Sequence, residues 1–138
     1  MKRYLITGGA GFIGSHLAER LLRQGHQVHI FDNLSTGDFS NVEHLTGSDR
    51  FESTVGDIMD RHHLEQCVYQ ADVVVHLAAA VGVKLIMEKP VETIRTNVRG
   101  TENVLELAES YGKKALLAST SEVYGKLLDN NRPMSALE

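Results

Sequence analysis

The chain has 138 residues, of which 42% are hydrophobic and 23% are charged, the composition of one ordinary globular domain. Lys and Arg total 14 against 18 Asp and Glu, so the net charge is −4 and the basic footprint of a nucleic-acid-binding protein is absent. The single cysteine, Cys67, excludes an internal disulfide, and no apolar stretch approaches the ~20 residues of a membrane span. We therefore expect a cytoplasmic protein that binds neither nucleic acid nor membrane.

The first predicted element is a strand over Arg3–Thr7, followed by a glycine-rich turn and a helix from Phe12 to Gln24. Apolar residues at 13, 17 and 21 and at 14, 18 and 22 give this helix its stripe, and Gly25 ends it. The turn fits both G-x-G-x-x-G and G-x-x-G-x-x-G. Such glycines let the backbone approach a pyrophosphate, whose charge the helix dipole attracts. The flanking strand and helix favour this interpretation over a turn that only connects two elements.

The second predicted strand, Gln27–Asp32, ends on an acid that follows Gly14 by 18 residues. At about this separation an acid accepts hydrogen bonds from the adenosine ribose of a bound dinucleotide. The 2′-phosphate of NADP would meet like charge there, and no arginine follows until Arg50, so NAD is the expected cofactor. The alternative is that Asp32 only caps the turn after its strand.

The remaining elements alternate between strand and helix. The run Asp72–Leu77 is continuously apolar and β-branched, which is typical of a strand buried on both faces. The helix at 92–111 carries apolar residues at 94, 98, 105 and 108, with Thr101 on the same stripe. Further elements are expected at 50–55 (strand), 60–69 (helix) and 114–119 (strand). The pattern βαβαβαβαβ predicts an α/β fold, a doubly wound parallel sheet of five strands in the order 3-2-1-4-5.

Several segments together resemble one family, the extended short-chain dehydrogenases/reductases that act as NAD-dependent nucleotide-sugar epimerases, dehydratases and decarboxylases. The motifs are TGGAGFIG (7–14), DNLSTG (32–37), GDI (56–58), HLAAAVGV (76–83), NVRGTENVL (97–105) and STSEVYG (119–125). The resemblance implies a Rossmann-type NAD-binding domain over 1–126 that lacks the C-terminal part of the family fold. Residues 127–138 match no motif and form an unassigned tail.

The resemblance also implies roles for individual residues. The Asp57 side chain and the Ile58 backbone are expected to flank the adenine, and Asn97 is expected to support the site near the fourth strand. The full set of implied cofactor-binding residues is Gly8, Gly11, Phe12, Ile13, Gly14, Asp32, Asn33, Thr36, Gly37, Asp57, Ile58, Leu77, Ala78, Ala79, Val81 and Asn97.

The STSEVYG segment carries the implied catalytic residues. Thr120 matches the hydroxyl that hydrogen-bonds the sugar oxygen undergoing oxidation, and Glu122 resembles the glutamate that decarboxylases and dehydratases use in acid–base work. Ser121 stands where 4,6-dehydratases carry Asp, which favours decarboxylase-like or epimerase-like relatives. Without the rest of the site, the same residues also fit a polar strand end, and Tyr124 fits a packed aromatic.

The family mechanism transfers a hydride from the sugar to NAD and needs a Tyr-x-x-x-Lys pair to move the proton. The four tyrosines of this chain are followed four residues later by Gly8, Val73, Ala115 and Leu128, none of them lysine. We therefore expect this chain alone to bind NAD without turnover, while a full-length relative acts on a nucleotide-sugar. The alternatives are a non-catalytic dinucleotide-binding or sensor module and a structural fragment that holds no cofactor.

Two further expectations concern surfaces and metals. An uncovered fifth-strand edge and apolar helix faces would favour self-association. No metal site is expected, because His62 and His63 point about 100° apart on a helix and lack ligand partners at suitable spacing. His76 is expected to be a buried imidazole with satisfied hydrogen bonds, and Cys67 a half-buried apolar side chain rather than a nucleophile.

Overall fold

Five parallel strands form one sheet in the computed structural model, which describes residues 1–80, 87–120, 123 and 125. The strands are β1 (Arg3–Thr7), β2 (Gln27–Asp32), β3 (Phe51–Val55), β4 (Val73–His76) and β5 (Lys114–Leu117). The helices are α1 (Phe12–Arg23), α2 (Arg61–Gln70) and α3 (Pro90–Ser110). The order β3-β2-β1-β4-β5 confirms the predicted doubly wound sheet.

The connection between β2 and β3 differs from the predicted strand–helix alternation. It contains two short 3-10 turns, Phe39–Asn41 and Glu43–Leu45, and no α-helix. The side chain of Asp38 accepts a hydrogen bond from the backbone N–H of Ser40, 2.9 Å away, and so begins the first turn. Short polar side chains of this kind bond to nearby backbone in competition with helix formation.

The strand register aligns the carboxyl ends of the central strands. Thr7 at the end of β1 is paired with Phe31 of β2 on one side and with His76 of β4 on the other. Asp32 follows Phe31 directly, so one edge of the sheet collects the ends of β1, β2 and β4. This edge also holds the glycine-rich turn that leads from β1 into α1.

Alternate residues of the central strands enter two cores, one on each face of the sheet. Leu5, Phe31 and Val74 pack with α2 and α3, whose core residues include Leu64, Val68, Val104 and Leu107. The other core combines Ile6, Ile30 and Val75 with Ala18, Leu21, Leu22, Val42 and Leu45. The helices therefore cover both faces of the sheet, as a parallel sheet requires.

The buried face of α3 is not the predicted apolar stripe. Ile94 and Val98 are 63% and 64% exposed, and of the predicted stripe only Ala108 is buried. The buried face instead combines the apolar residues Val104, Leu107 and Ala108 with Thr93, Gly100 and Asn103. The reason is close docking, since a Cβ at Gly100 would lie 2.3 Å from the Cδ1 of Ile58.

The remaining predictions about histidine and cysteine concern their burial. Cys67 is 5% exposed, which is deeper than the predicted half-burial, and this burial raises the pKa of its thiol. His62 and His63 are exposed on α2. Among residues 1–80 and 87–120, no three His, Cys, Asp or Glu side chains are grouped as metal ligands. Within the same ranges, no helix has the length and apolar character needed to cross a membrane.

Candidate functional site

A groove of about 820 Å³ runs along the carboxyl edge of the sheet. It is centred on the turn between β1 and α1, where the strand order reverses because β1 lies between β2 and β4. Ligands of open α/β sheets bind at such a switch point, and the volume suits a small molecule or cofactor. All the predicted cofactor-binding residues line this groove except Val81, which lies outside the described residues, and Asn97.

Three glycines of the turn are required for different steric reasons. Gly8 has a positive φ of 72°, and a Cβ there would lie 2.7 Å from the backbone nitrogen of Ala78. A Cβ at Gly14 would lie 2.4 Å from the carbonyl oxygen of Gly8, so Gly14 allows α1 to pack close to β1. A Cβ at Gly11 would lie 3.3 Å from the carbonyl oxygen of Gly8, so Gly11 lines the groove with bare backbone where a side chain would be tightly confined.

The N-terminus of α1 is suited to an anion. Its N-cap residue, Gly11, has an extended backbone and no side chain to cap the helix. The first turn, whose residues the structure describes, contains no acid. The first N–H groups of a helix have no intrahelical acceptor and carry the positive end of the helix dipole. A helix N-terminus that is preceded by glycine in this way is a common binding site for phosphate.

Asp32 joins this turn to the strand beside it. One carboxylate oxygen accepts a hydrogen bond from the N–H of Ala10 at 2.9 Å, and the other accepts from Leu34 at 2.8 Å. The residue is only 9% exposed, yet it lines the groove. Asp32 can therefore cap the turn and also accept hydrogen bonds from a ligand in the groove, because each carboxylate oxygen has a second lone pair.

The β3 side of the groove is held by contacts around Asp57 and Ile58. Asn33 donates a hydrogen bond to Asp57 at 3.2 Å, and the carbonyl oxygen of Ile58 accepts one from the Asn103 amide at 3.0 Å. Gly100 and Asn103 of α3 therefore fix the position of Ile58. Neither was predicted, although a glycine inside a helical pattern is a signal of close packing.

On the β4 side, the segment 77–80 is held to β1 and α3. Leu77 and Ala78 donate to the backbone oxygen and hydroxyl of Thr7 at 3.0 and 3.3 Å. Asn97 accepts from the N–H of Ala80 at 2.7 Å and donates to its carbonyl oxygen at 3.1 Å. Asn97 thus supports the groove wall, as expected, but does not itself line the groove.

His76 lies directly behind this wall. Its Nδ1 is 2.6 Å from the Thr7 hydroxyl and its Nε2 is 3.0 Å from the Thr101 hydroxyl. The side chain is 2% exposed, and burial lowers the pKa of its imidazole below the ordinary value. The prediction of a satisfied buried histidine is confirmed.

The groove also has lining residues that the sequence did not indicate. Lys89 and Glu92 at the start of α3 form an ion pair at 3.2 Å. The others are Phe31, Thr93, Thr96 and Ala118, whereas the lining residues Ser35, Gly56 and Ala80 belong to the motifs quoted above. Proximity of the first turn of α3 to the groove depends on helix docking, so no local motif could reveal it.

The predicted catalytic residues are placed only in part. Thr120 is exposed and does not line the groove, whereas Ala118, two residues earlier, does. The backbone oxygen of Thr120 accepts a hydrogen bond from the N–H of Val123 at 3.4 Å. Glu122, Ser121, Tyr124 and the tail 127–138 lie outside the described residues.

Comparison with known proteins identifies similar chains. The family model for GDP-mannose 4,6 dehydratase matches residues 5–135. A UDP-N-acetyl-alpha-D-glucosaminuronate decarboxylase from Bacillus cytotoxicus is 53% identical over 125 residues, which cover 91% of this chain and 38% of that protein.

Two crystal structures show the same architecture. A UDP-glucose-4-epimerase from Stenotrophomonas maltophila, with bound NAD and formylated UDP-arabinopyranose, has a TM-score of 0.84 and 31% identity, covering 96% of this chain and 41% of its own. A dTDP-glucose 4,6-dehydratase from Streptomyces venezuelae, with NAD bound, has a TM-score of 0.85 and 32% identity, covering 96% and 45%. The chain therefore spans well under half the length of each of these proteins.

Proposed function

We propose that this chain binds NAD in the groove. The chain belongs to the GDP-mannose 4,6 dehydratase family, and so to the NAD-dependent epimerases and dehydratases that its motifs resemble. It would form the cofactor-binding part of a nucleotide-sugar oxidoreductase. One arrangement carries the proposal: the uncapped N-terminus of α1 and the largely buried carboxylate of Asp32 line the same groove at the switch point of the sheet.

The residues present fit a dinucleotide. The pyrophosphate would lie on the N–H groups of α1 above Gly11, whose missing Cβ leaves the room. Asp32 would accept hydrogen bonds from the adenosine ribose, which places the adenine near Asp57 and Ile58. The other half of the dinucleotide would then extend along the wall at 77–80. When bound, NAD supplies the hydride acceptor for oxidation of a sugar hydroxyl.

NAD rather than NADP fits the charges of the groove. A 2′-phosphate beside Asp32 would be repelled by its carboxylate. The one Lys or Arg among the described lining residues, Lys89, is paired with Glu92. We expect NADP to bind at least about tenfold more weakly than NAD, since a like-charge contact costs more than about 1.4 kcal/mol.

Calorimetric titration with NAD and NADP tests this function. Gly11→Ala places a methyl group in the phosphate position and should weaken NAD binding at least about tenfold while the chain stays folded. The matched control is Gly47→Ala, because no atom lies within 4 Å of a Cβ at Gly47. Unchanged NAD affinity in the Gly11 variant, or equal affinity of the wild type for both dinucleotides, would contradict the proposal.

We further propose a decarboxylase-like or epimerase-like reaction for the whole protein, with Thr120 and Glu122 facing the sugar. The 53% identity to a UDP-sugar-uronate decarboxylase supports the first of these and points to a UDP-uronic acid as the substrate class. The 138-residue chain by itself should bind NAD without turnover, because no tyrosine in it has a lysine four residues later. Steady NADH production, release of CO₂ from a UDP-uronic acid, or epimerisation of a UDP-sugar by the purified chain would refute this. A purely NAD-sensing module would likewise show no turnover.

Self-association is proposed from the apolar side chains that the fold leaves uncovered. On α3, Val91, Ile94 and Val98 are each more than 60% exposed, and on β5 Leu116 and Leu117 are 55% and 49% exposed. Large apolar side chains left exposed in this way favour an interaction with a partner surface. Sedimentation equilibrium should show a dimer that Ile94→Lys weakens, and a wild type that stays monomeric at high concentration would refute the proposal. The cytoplasmic location inferred from the lone Cys67 stays a prediction.

A further inference from the structure

A line of buried hydrogen bonds runs from the groove wall into α3 and takes no direct part in lining the groove. The N–H of Ala78 donates to the Thr7 hydroxyl at 3.3 Å, and that hydroxyl is 2.6 Å from Nδ1 of His76. Nε2 of His76 is 3.0 Å from the Thr101 hydroxyl on α3. Thr7 is fully buried and His76 is 2% exposed, so water does not compete for the contact between these two side chains.

The contacts define one direction of donation. The Thr7 hydroxyl oxygen accepts the N–H of Ala78, and among the described contacts the single proton of this fully buried hydroxyl has no acceptor other than Nδ1 of His76. A neutral imidazole that accepts at Nδ1 carries its proton on Nε2 and donates it to Thr101. Burial lowers the pKa of His76, which keeps the imidazole in this neutral form. The three side chains therefore act as one relay between β1, β4 and α3.

We propose that His76 is a positioning residue that sets the affinity for the half of the dinucleotide beyond the pyrophosphate. This inference rests on the proposed NAD-binding function. The relay holds Ala78 against the β1–α1 turn. The two backbones are in close contact there, since a Cβ at Gly8 would lie only 2.7 Å from the Ala78 nitrogen. Leu77 and Ala78 form the groove wall beside that turn, so a shift of Ala78 changes the width of the groove at this end alone.

The same helix anchors the opposite end of the groove by a different residue. Asn103 of α3 donates to the carbonyl oxygen of Ile58, which lines the adenosine end. Thr101 and Asn103 are two residues apart, and each is tied to one end of the groove. Substitutions at the two positions should therefore differ in ligand selectivity, with a loss confined to NAD at Thr101 and shared by NAD and AMP at Asn103, which a general loss of helix docking would not produce.

The experiment compares NAD with AMP, which occupies the adenosine end only. Thr101→Val removes the acceptor of the relay, and His76→Asn retains a polar group near Thr7 but is too short to reach Thr101. Each should weaken NAD binding roughly three- to tenfold, the effect of one hydrogen bond, and change AMP binding less than twofold. The double variant should be no weaker than the single ones, because both remove the same bond. Asn103→Ala should weaken AMP and NAD equally, and the exposed Thr46→Val serves as control.

Nitrogen NMR of histidine-labelled wild type gives a readout that is independent of folding in the variants. His76 should show the tautomer with its proton on Nε2, and the proton on Nδ1 would overturn the relay. Equal losses of NAD and AMP affinity in Thr101→Val would show a merely structural role, and unchanged NAD affinity would also overturn the inference. A wild type that binds AMP but not NAD would refute the relay, whereas failure to bind either would refute the proposed function itself.

Discussion

Strands β2 and β5 belong to the same parallel sheet but differ sharply in burial. Five of the six residues of β2 are buried, whereas all four residues of β5 are exposed. The groove accordingly has two unlike halves. One lies beside β2 and β3 (the β2–β3 half) and the other beside β4 and β5 (the β4–β5 half). Residues of the β2–β3 half bond to one another, since Asp32 holds Ala10 and Leu34, and Asn33 holds Asp57.

The β4–β5 half instead depends on α3 for its shape. Asn97 holds Ala80, and Thr101 holds His76, while the outer side of α3 and both leucines of β5 face solvent. The comparison teaches that the β2–β3 half is held mainly by bonds between its own loops, to which α3 adds the bond from Asn103 to Ile58, whereas the β4–β5 half is built around a helix with uncovered apolar surface. Substitutions should show this asymmetry in both stability and binding.

The largest effect is expected for Gly14→Ala at the centre of the groove. Its Cβ would lie 2.4 Å from the backbone oxygen of Gly8, and backbone cannot move aside without displacing the turn. We expect a loss of about 3 kcal/mol in the free energy of unfolding, at the upper end of overpacking costs. Urea unfolding measures it.

Gly100→Ala is the matched substitution in α3. The Cβ would meet the flexible end of Ile58 rather than backbone, and alanine favours a helix by about 1 kcal/mol over glycine. Its net cost should therefore stay below about 1.5 kcal/mol. Equal destabilisation by the two variants would contradict the distinction between a rigid centre and an adaptable α3 contact.

Asp32→Asn tests the internal bonding of the β2–β3 half. The amide keeps one acceptor oxygen but turns an N–H₂ group toward either Ala10 or Leu34, whose N–H groups then face a donor. Loss of a charge-assisted hydrogen bond should cost about 2 kcal/mol in the free energy of unfolding. Binding of NAD should weaken as well. A variant with wild-type stability would show that this half does not depend on its own contacts.

The pH dependence of stability should distinguish the two buried histidines. Burial lowers the pKa of both His29 and His76, so the unfolded chain, with an ordinary histidine pKa of about 6.5, binds more protons. The free energy of unfolding should therefore fall as the pH drops below about 6.5, by at most about 1.4 kcal/mol per pH unit for each histidine, and stay level above about 7.5.

His76 should contribute more of this slope than His29. The Glu52 carboxylate, 3.9 Å from His29, favours its protonated form and opposes the effect of burial. His76→Asn should flatten the stability profile between pH 7.5 and 5.5 more than His29→Gln does, as urea unfolding at several pH values would show. A greater flattening in the His29 variant would reverse this ranking of the two sites.

The smallest effect is expected for the ion pair between α2 and α3. Arg61 and Glu106 are 2.6 Å apart, but both side chains are about half exposed. Exposed pairs contribute little, so Glu106→Gln should cost about 0.5 kcal/mol at low salt and less at high salt. A cost above about 2 kcal/mol would mean that charge, rather than the apolar contacts of Val104 and Leu107, holds α3 to α2.

Local signals in the sequence were sufficient for the five strands and three helices that the structure describes and for the glycine-rich turn, although not for the 3-10 turns between β2 and β3. Period and β-branched runs located β1, β2 and β4, and the spacing from Gly14 to Asp32 located the acid, which the structure places beside the turn. The apolar period of α3 was misleading, because three of its large apolar residues, Ile94, Val98 and Leu105, lie on the exposed face while Thr93 and Asn103 are buried. An amphipathic pattern shows which residues are apolar, but it does not show which of them are buried in the folded chain.

By itself the sequence determined the strand order, the family and the residues that meet at the carboxyl edge of β1 and β2, because short-range spacing and right-handed crossovers leave few other arrangements. Only the tertiary structure decided how α3 serves the site. Gly100, Thr101 and Asn103 reach Ile58 and His76 across 25 to 45 positions of the chain. Such contacts depend on the docking depth of one helix, and no local pattern encodes that depth.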